Sequence, residues 1–176
     1  MTLFLIGYMA SGKTTLGRAL GRATGYQFID LDFYITQRYR KSIPEIFAEM
    51  GEEEFRRIES EMLREVGEFC DVIISCGGGT PCFHSNMEFM NSHGVTLLLD
   101  ASTECTIRRL KEAKTRRPIL EKVAEEELPA FIESHKLERE PFYSQAQLRM
   151  DSEQLESAEQ IKSTVDRVCK MLRMRE

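Results

Sequence analysis

Short apolar runs alternate along this chain with longer stretches in which apolar positions recur every three or four residues. Thr2-Leu-Phe-Leu-Ile6 is a run of strand formers, and Lys13 to Thr24 carries Leu16, Ala19, Leu20 and Ala23 at helical spacing before Gly25 closes it. Tyr26 to Ile29 predicts a second strand. Residues 33–69 lack any strand signal and read as helical, with breaks near Ser42-Ile-Pro-Glu45 and at Gly51. The first break has the spacing of a capping box with proline inside the first turn. Asp71-Val-Ile-Ile-Ser75 predicts a buried third strand. Ser85-Asn-Met-Glu88 has capping-box spacing again and opens a short helix to His93-Gly94, after which Val95 to Asp100 predicts a fourth strand and Thr103 to Lys111 a helix. Glu125 to Ser144 reads as helical with an interruption at Pro129, Gln147 to Met150 as a fifth strand, and Ser157-Ala-Glu-Gln160 as the capping box of a closing helix through Val165, Val168 and Leu172. Strands alternating with helices predict an α/β domain of three layers around a central parallel five-stranded sheet, formed by residues 1–176 as one unit. The helical insertion at about 32–69 exceeds what a crossover needs and is expected to build a substrate-binding lobe.

The loop between the first strand and first helix is the run Gly7-Tyr-Met-Ala-Ser-Gly-Lys-Thr14. It fits the template G-x-x-x-x-G-K-[ST], whose backbone N–H groups wrap a polyphosphate while the lysine neutralises it and the hydroxyl serves Mg²⁺. Gly7, Ala10, Ser11, Gly12, Lys13, Thr14 and Thr15 are therefore the candidate nucleotide cradle. Gly12 is expected to bring the main chain close to a phosphate, and Lys13 sits at a helix start, which favours anions. Asp30 and Asp32 stand where the second strand ends, the edge at which ligands gather in open α/β sheets. If the extended backbone persists, their side chains point to opposite sides, one towards metal and phosphates and one towards a second substrate. The competing reading is that one of them only caps the next helix. Gly77-Gly78-Gly79 at the end of the third strand suggests a ligand lying against bare main chain. Arg56 and Arg57 project about 100° apart on a helix, so only one of them faces the cleft. The basic segment Lys111-Glu-Ala-Lys-Thr-Arg-Arg-Pro118 fits a mobile lid, at about 111–125, that closes over phosphates.

Composition narrows the picture. The 176 residues suffice to bury a core, and 24 Lys plus Arg against 29 Asp plus Glu give a net charge of −5, so neither nucleic acid nor an anionic membrane is expected as the main partner. Five cysteines form no C-x-x-C pair, which indicates neither a disulfide framework nor a zinc site and suits a reducing cytoplasm. No apolar run is long enough to span a bilayer. Leu3 to Ala10 lacks the basic flank of a signal peptide and would discard the phosphate loop. His84, His93 and His135 share no metal-ligand spacing and are read as ordinary surface or cap residues.

Taken together, Gly7 to Thr14, Asp30-x-Asp32, Phe55-Arg-Arg-Ile-Glu59, Gly77 to Gly79, Arg117-Pro118 and Arg139-x-Pro-x-Tyr143 resemble the shikimate kinases, and the resemblance runs through nearly the whole chain. It implies a P-loop kinase fold with a substrate-binding insertion and a lid, ATP and Mg²⁺ as cofactors, and transfer of the γ-phosphate to the 3-hydroxyl of shikimate on the way to chorismate and the aromatic amino acids. It implies further that Asp30 helps hold Mg²⁺ with Thr14, that Asp32 binds the acceptor hydroxyls and takes a proton, and that Arg56 and Arg139 grip the shikimate carboxylate. Gly77, Gly78 and Gly79 would lie against the same ligand, Arg117 would meet the transferring phosphoryl group, and Arg109 would lie beside adenine. Lys13, Asp32 and Arg117 are then the catalytic set, in a monomer. Two departures from the family pattern are Ala10, where glycine is frequent and where alanine is expected to keep a negative φ, and Gln145, where an acid is common. A gluconate-type or nucleotide kinase of the same fold, and a non-enzymatic ATP-binding module, are the alternatives.

Overall fold

The computed structural model describes residues 1–113 and 123–173. Five strands form one sheet: β1 (Thr2–Ile6), β2 (Gln27–Asp30), β3 (Val72–Ser75), β4 (Val95–Asp100) and β5 (Leu148–Asp151). Their spatial order is β2-β3-β1-β4-β5, and every pair is parallel. The first helix, α1 (Lys13–Thr24), links β1 to β2; α2 (Leu31–Tyr39) and α3 (Ile43–Gly67) fill the insertion; α4 (Asn86–His93) leads to β4; α5 (Thr103–Glu112) and α6 (Leu128–Tyr143) precede β5, and α7 (Ala158–Leu172) follows it.

The period-two rule of a strand sorts β1 between two cores. Leu3 and Leu5 face α1 and α7 through Leu16, Leu20, Val165 and Val168, whereas Phe4 and Ile6 face α2, α3, α4 and α6 through Ile35, Ile58, Met90 and Ile132. All of these side chains are buried. Helices thus cover both faces, and the three expected layers are present. At roughly 25 cal/mol per Å² of apolar surface, a sheet buried on both faces supplies the largest favourable contribution to folding.

Several local expectations hold to the residue. Ser42 and Glu45 form a reciprocal capping box with Pro44 in the first turn, Ser157 and Gln160 form another, and α3 kinks at Gly51, whose φ of 82° and ψ of 170° are not helical. Three expectations are corrected. Pro129 does not interrupt α6 but lies in its first turn, where a missing N–H costs nothing; the proline inside that helix is Pro141. Ser85 makes no capping hydrogen bond and has a left-handed φ of 54° in place of the extended backbone of an ordinary N-cap. The buried Asn86 anchors that end instead: its amide donates to the Thr80 carbonyl at 2.9 Å, and its Oδ1 accepts from Ser60 at 2.7 Å. Third, the chain does not stay extended past Asp30, since α2 begins at Leu31.

Of the segment 111–125 expected as a lid, residues 114–122 lie outside the described residues, Arg117 among them. Among the described residues no helix is long and apolar enough to cross a membrane.

Candidate active site

Strand register places the chemistry along one edge of the sheet. Ser75 at the end of β3 aligns with Leu5 of β1 and with Asp30 of β2, so the segments that follow these strands emerge side by side. They carry the phosphate-loop motif, the Asp30-Asp32 pair and the triple glycine.

In the loop after β1, Lys13 Nζ donates to the carbonyls of Gly7 (2.8 Å) and Tyr8 (2.7 Å) and contacts the Ser11 hydroxyl (3.2 Å). Gly12 caps α1 with a φ of 92°, which favours glycine, and a Cβ there would stand 2.5 Å from Leu155 Cδ1, which would have to shift. Ala10 does not keep the negative φ expected of it. Its φ is 58°, a left-handed conformation that disfavours any Cβ, which explains why glycine is apt at this position.

The Thr14 hydroxyl donates to Asp30 Oδ2 at 3.0 Å, while Asp30 Oδ1 accepts from the Phe33 backbone at 3.3 Å. Asp30 therefore serves as a helix cap and as a partner of the phosphate loop at once, so the two readings of its role are not exclusive. Asp32, in the first turn of α2, still reaches the cleft. A cavity of about 380 Å³ is lined by the loop from Met9 to Thr15, by Asp30 and Asp32, and by Arg109. Arg109 spans its far side: Nη1 donates to the Ala10 carbonyl (3.2 Å), Nη2 to the carbonyls of Ser152 (2.8 Å) and Glu153 (3.2 Å), and Nε to Glu156 (2.8 Å). Four polar contacts pin this guanidinium between the phosphate loop and the segment before α7.

A second cavity of about 700 Å³ adjoins the first. Met9, Asp32, Gly77 and Gly78 border both. Its apolar wall includes Ile43, Pro44, Phe47 and Phe55 from both sides of the α3 kink, and its polar groups include Arg56, Glu59 and Arg139. Arg56 is the arginine that faces the cleft, with a side chain 14% exposed, whereas Arg57, 51% exposed, pairs with Glu54 and Glu61 on the outer face.

Arg56 is tightly framed. Nη1 donates to Glu59 Oε2 at 2.8 Å, Nη2 reaches Glu52 at 3.4 Å, and the guanidinium lies over the Phe83 ring at 4.3 Å and the Phe55 ring at 5.2 Å. Glu59 is buried, 1% exposed, and its other oxygen accepts from Thr80. Arg56 Nε is buried with no hydrogen-bond partner among the described residues.

The triple glycine borders the cavity, as the sequence suggests, and two of its members also accommodate arginines. A Cβ on Gly79 would meet the Arg56 guanidinium at 2.8 Å, and one on Gly78 would meet Arg139 Nη1 at 2.8 Å. The missing side chains make room for two arginines against the main chain, and these, with Asp32, Glu52 and Glu59, are charged groups of the cavity wall.

Arg139 has partners that sequence reading misses. Its Nη2 lies 3.0 Å from His135 Nε2, its guanidinium stands 5.3 Å from the Tyr8 ring centroid, and Tyr8 Oη lies 3.0 Å from His135 Nδ1. His135 is thus no ordinary surface residue, although His84 and His93 are exposed as expected. The only sequence signal for it is the i,i+4 spacing to Arg139 on one helix. Burial, opposed in part by Arg139, pushes the Tyr8 phenol up to about 12, and burial followed by Arg139 holds the His135 imidazole below its ordinary value. Tyr143, whose hydroxyl donates to the Gly78 carbonyl at 2.7 Å, props the glycine segment from beneath.

Known proteins share this sequence and shape. A sequence model of the shikimate kinase family matches residues 9–170. A shikimate kinase of Phocaeicola vulgatus is 48% identical over 170 residues, covering 97% of both chains. The crystal structure of a shikimate kinase from Bacteroides thetaiotaomicron superposes with a TM-score of 0.95 at 47% identity, covering 98% of each chain. That of the Acinetobacter baumannii shikimate kinase, in complex with shikimate, does so with a TM-score of 0.84 at 26% identity over 97% of this chain and 92% of that one.

Proposed function

This chain belongs to the shikimate kinase family and has its P-loop kinase fold, and from that premise we propose that its two adjoining cavities bring ATP and shikimate together for transfer of the γ-phosphoryl group to the 3-hydroxyl. The observation that carries this reading is the position of Asp32, which borders the cavity lined by the phosphate loop and the cavity lined by Arg56 and Arg139. A hydroxyl held at that boundary faces a nucleotide on one side while its ring is gripped on the other.

The residues divide the work as phosphoryl transfer requires, which is alignment and charge neutralisation more than covalent chemistry. Gly7, Ala10, Ser11, Gly12, Thr14 and Thr15 cradle the phosphates, and Lys13 leaves the loop carbonyls to neutralise them. Asp32 orients the attacking hydroxyl and takes its proton. Arg56 and Arg139 bind the carboxylate of shikimate, a planar anion that guanidinium forks match; Gly78 and Gly79 leave them the space, and Gly77, Gly78 and Gly79 lie along the same ligand. Arg109 lines the adenine end, and Arg117, on the lid, supplies positive charge to the transferring group.

Thr14 and Asp30 fit Mg²⁺: both offer hard oxygen donors, they already sit 3.0 Å apart, and Mg²⁺ keeps several of its own waters rather than demanding a full cage of side chains. When bound, the ion would neutralise charge on the β- and γ-phosphates. A monomer in the cytoplasm, with residues 111–125 as the lid, completes the reading.

The test is an ADP-release assay over shikimate, quinate, gluconate and nucleoside monophosphates with Mg²⁺ present. Turnover with shikimate is expected to exceed that with the nucleoside monophosphates, which lack a carboxylate for Arg56 and Arg139, by a factor of about 100 or more, and to exceed that with quinate and gluconate, which carry one but differ in ring or chain shape, by a smaller factor. Comparable or faster turnover of gluconate or a nucleotide would assign the chain another acceptor.

A further inference from the structure

Beyond the groups that would touch ATP or shikimate, one side chain ties the two halves of the cleft together. His135 projects from α6 between Tyr8, in the phosphate loop, and Arg139, one turn further along the same helix. A guanidinium has only donors, so the 3.0 Å contact between Arg139 Nη2 and His135 Nε2 requires that nitrogen to accept. Nδ1 then carries the proton and donates to Tyr8 Oη, 3.0 Å away. The imidazole is therefore neutral and in a single tautomer.

We propose that His135 is a positioning residue for the acceptor site: its unprotonated Nε2 holds one arm of Arg139 so that the rest of the guanidinium is presented, ready oriented, to the acceptor carboxylate. The inference rests on the reading of Arg139 as a carboxylate-binding group. Arg139 is held from three sides. Nη2 is taken by His135, the face lies over the Tyr8 ring at 5.3 Å, and Nη1 abuts Gly78 so closely that a Cβ there would stand 2.8 Å away. Of these, the histidine contact is directional, and the Tyr143 hydroxyl, which also hydrogen-bonds the guanidinium, supplies a second directional contact. Without the histidine contact, a long side chain regains rotamer freedom that binding must then remove.

The surroundings favour the neutral form. The charged and titratable groups that face the imidazole are Arg139 and Glu138 on α6 and the Tyr8 phenol from the loop after β1, while Phe131 packs on it and Lys136 lies over the Tyr8 ring. Burial and the adjacent guanidinium outweigh the attraction of Glu138 and lower the pKa. A protonated ring would lose its acceptor and set a cation beside Arg139.

The experiment measures KM for shikimate, KM for ATP and kcat in the wild type, His135→Leu, His135→Asn, His135→Gln and Arg139→Ala. A charge-assisted hydrogen bond of ordinary strength predicts a rise of roughly tenfold in shikimate KM for His135→Leu, with ATP KM within about twofold. His135→Gln, whose amide oxygen reaches the place of Nε2, recovers most of the loss. His135→Asn, whose amide reaches only the place of Nδ1, does not, and it serves as the polar variant should the leucine variant fail to fold. A wild-type shikimate KM in the leucine or asparagine variant, with Arg139→Ala impaired, overturns the role of His135 alone. So does equal impairment of the asparagine and glutamine variants. A wild-type shikimate KM in Arg139→Ala instead overturns the underlying assignment of Arg139.

Discussion

Ala10 carries a backbone conformation that a Cβ disfavours, with a φ of 58° in the middle of the phosphate loop. Replacing it with glycine removes about 1–2 kcal/mol of local strain and gives back part of that as unfolded-chain entropy. Ala10→Gly is therefore predicted to stabilise the protein by about 0.5–1 kcal/mol, read as a higher urea midpoint with an unchanged slope; a lower midpoint would show that the loop does not hold this conformation. The prediction marks where residue-level reading stops. The motif gives the identities of Gly7, Lys13 and Thr14 and the need for glycine at position 12, yet dihedral angles are not written in a pattern of letters, and alanine at position 10 was expected at negative φ. Of the neighbours Arg56 and Arg57, helical geometry shows that one turns away, but only packing selects Arg56, through Glu59 and the Phe83 ring. The role of His135 is not legible in the sequence because its partners lie 127 and 4 residues away, and only the nearer separation leaves a trace there.

At the scale of elements, α3 shows how a helix becomes a wall of the site. Its first turns carry Ile43, Pro44 and Phe47, its later turns Phe55, Arg56 and Glu59, and the two sets converge on one cavity because the axis bends at Gly51. A φ of 82° with a ψ of 170° is a region that glycine alone occupies readily, and nothing lies within 4 Å of where a Cβ would stand. Gly51→Ala is thus a strain test uncomplicated by a clash: it should cost roughly 1–3 kcal/mol in unfolding free energy and raise the shikimate KM more than the ATP KM. An unchanged melting temperature and unchanged KM values would mean that the bend is dispensable. Elements were the most legible level of this chain, since apolar periodicity located every strand to within a residue or so and two of three capping boxes formed. The third failed at Ser85 because a buried side chain, Asn86, anchors the helix start through tertiary hydrogen bonds, and a local spacing cannot reveal those. Pro129 misled for a related reason: one residue decides whether proline ends a helix or begins one.

At the scale of the whole molecule, the parallel sheet sets three strand ends side by side, and these ends and the segments that follow them furnish the phosphate loop, the aspartate pair and part of the arginine-lined cavity. The layered architecture and its strand count followed from alternation alone, while the meeting of the two cavities at Asp32 came from the turn into α2, which overrode the extended geometry expected there. The proposed phosphoryl transfer sets the acceptor hydroxyl at that meeting point. The most direct measurement is steady-state kinetics of Asp32→Asn with ATP and shikimate, alongside calorimetric affinities for both. A carboxylate that orients the hydroxyl and takes its proton predicts a fall in kcat of about 100-fold or more with ATP affinity nearly unchanged. Turnover at the wild-type rate in the asparagine variant would contradict the account.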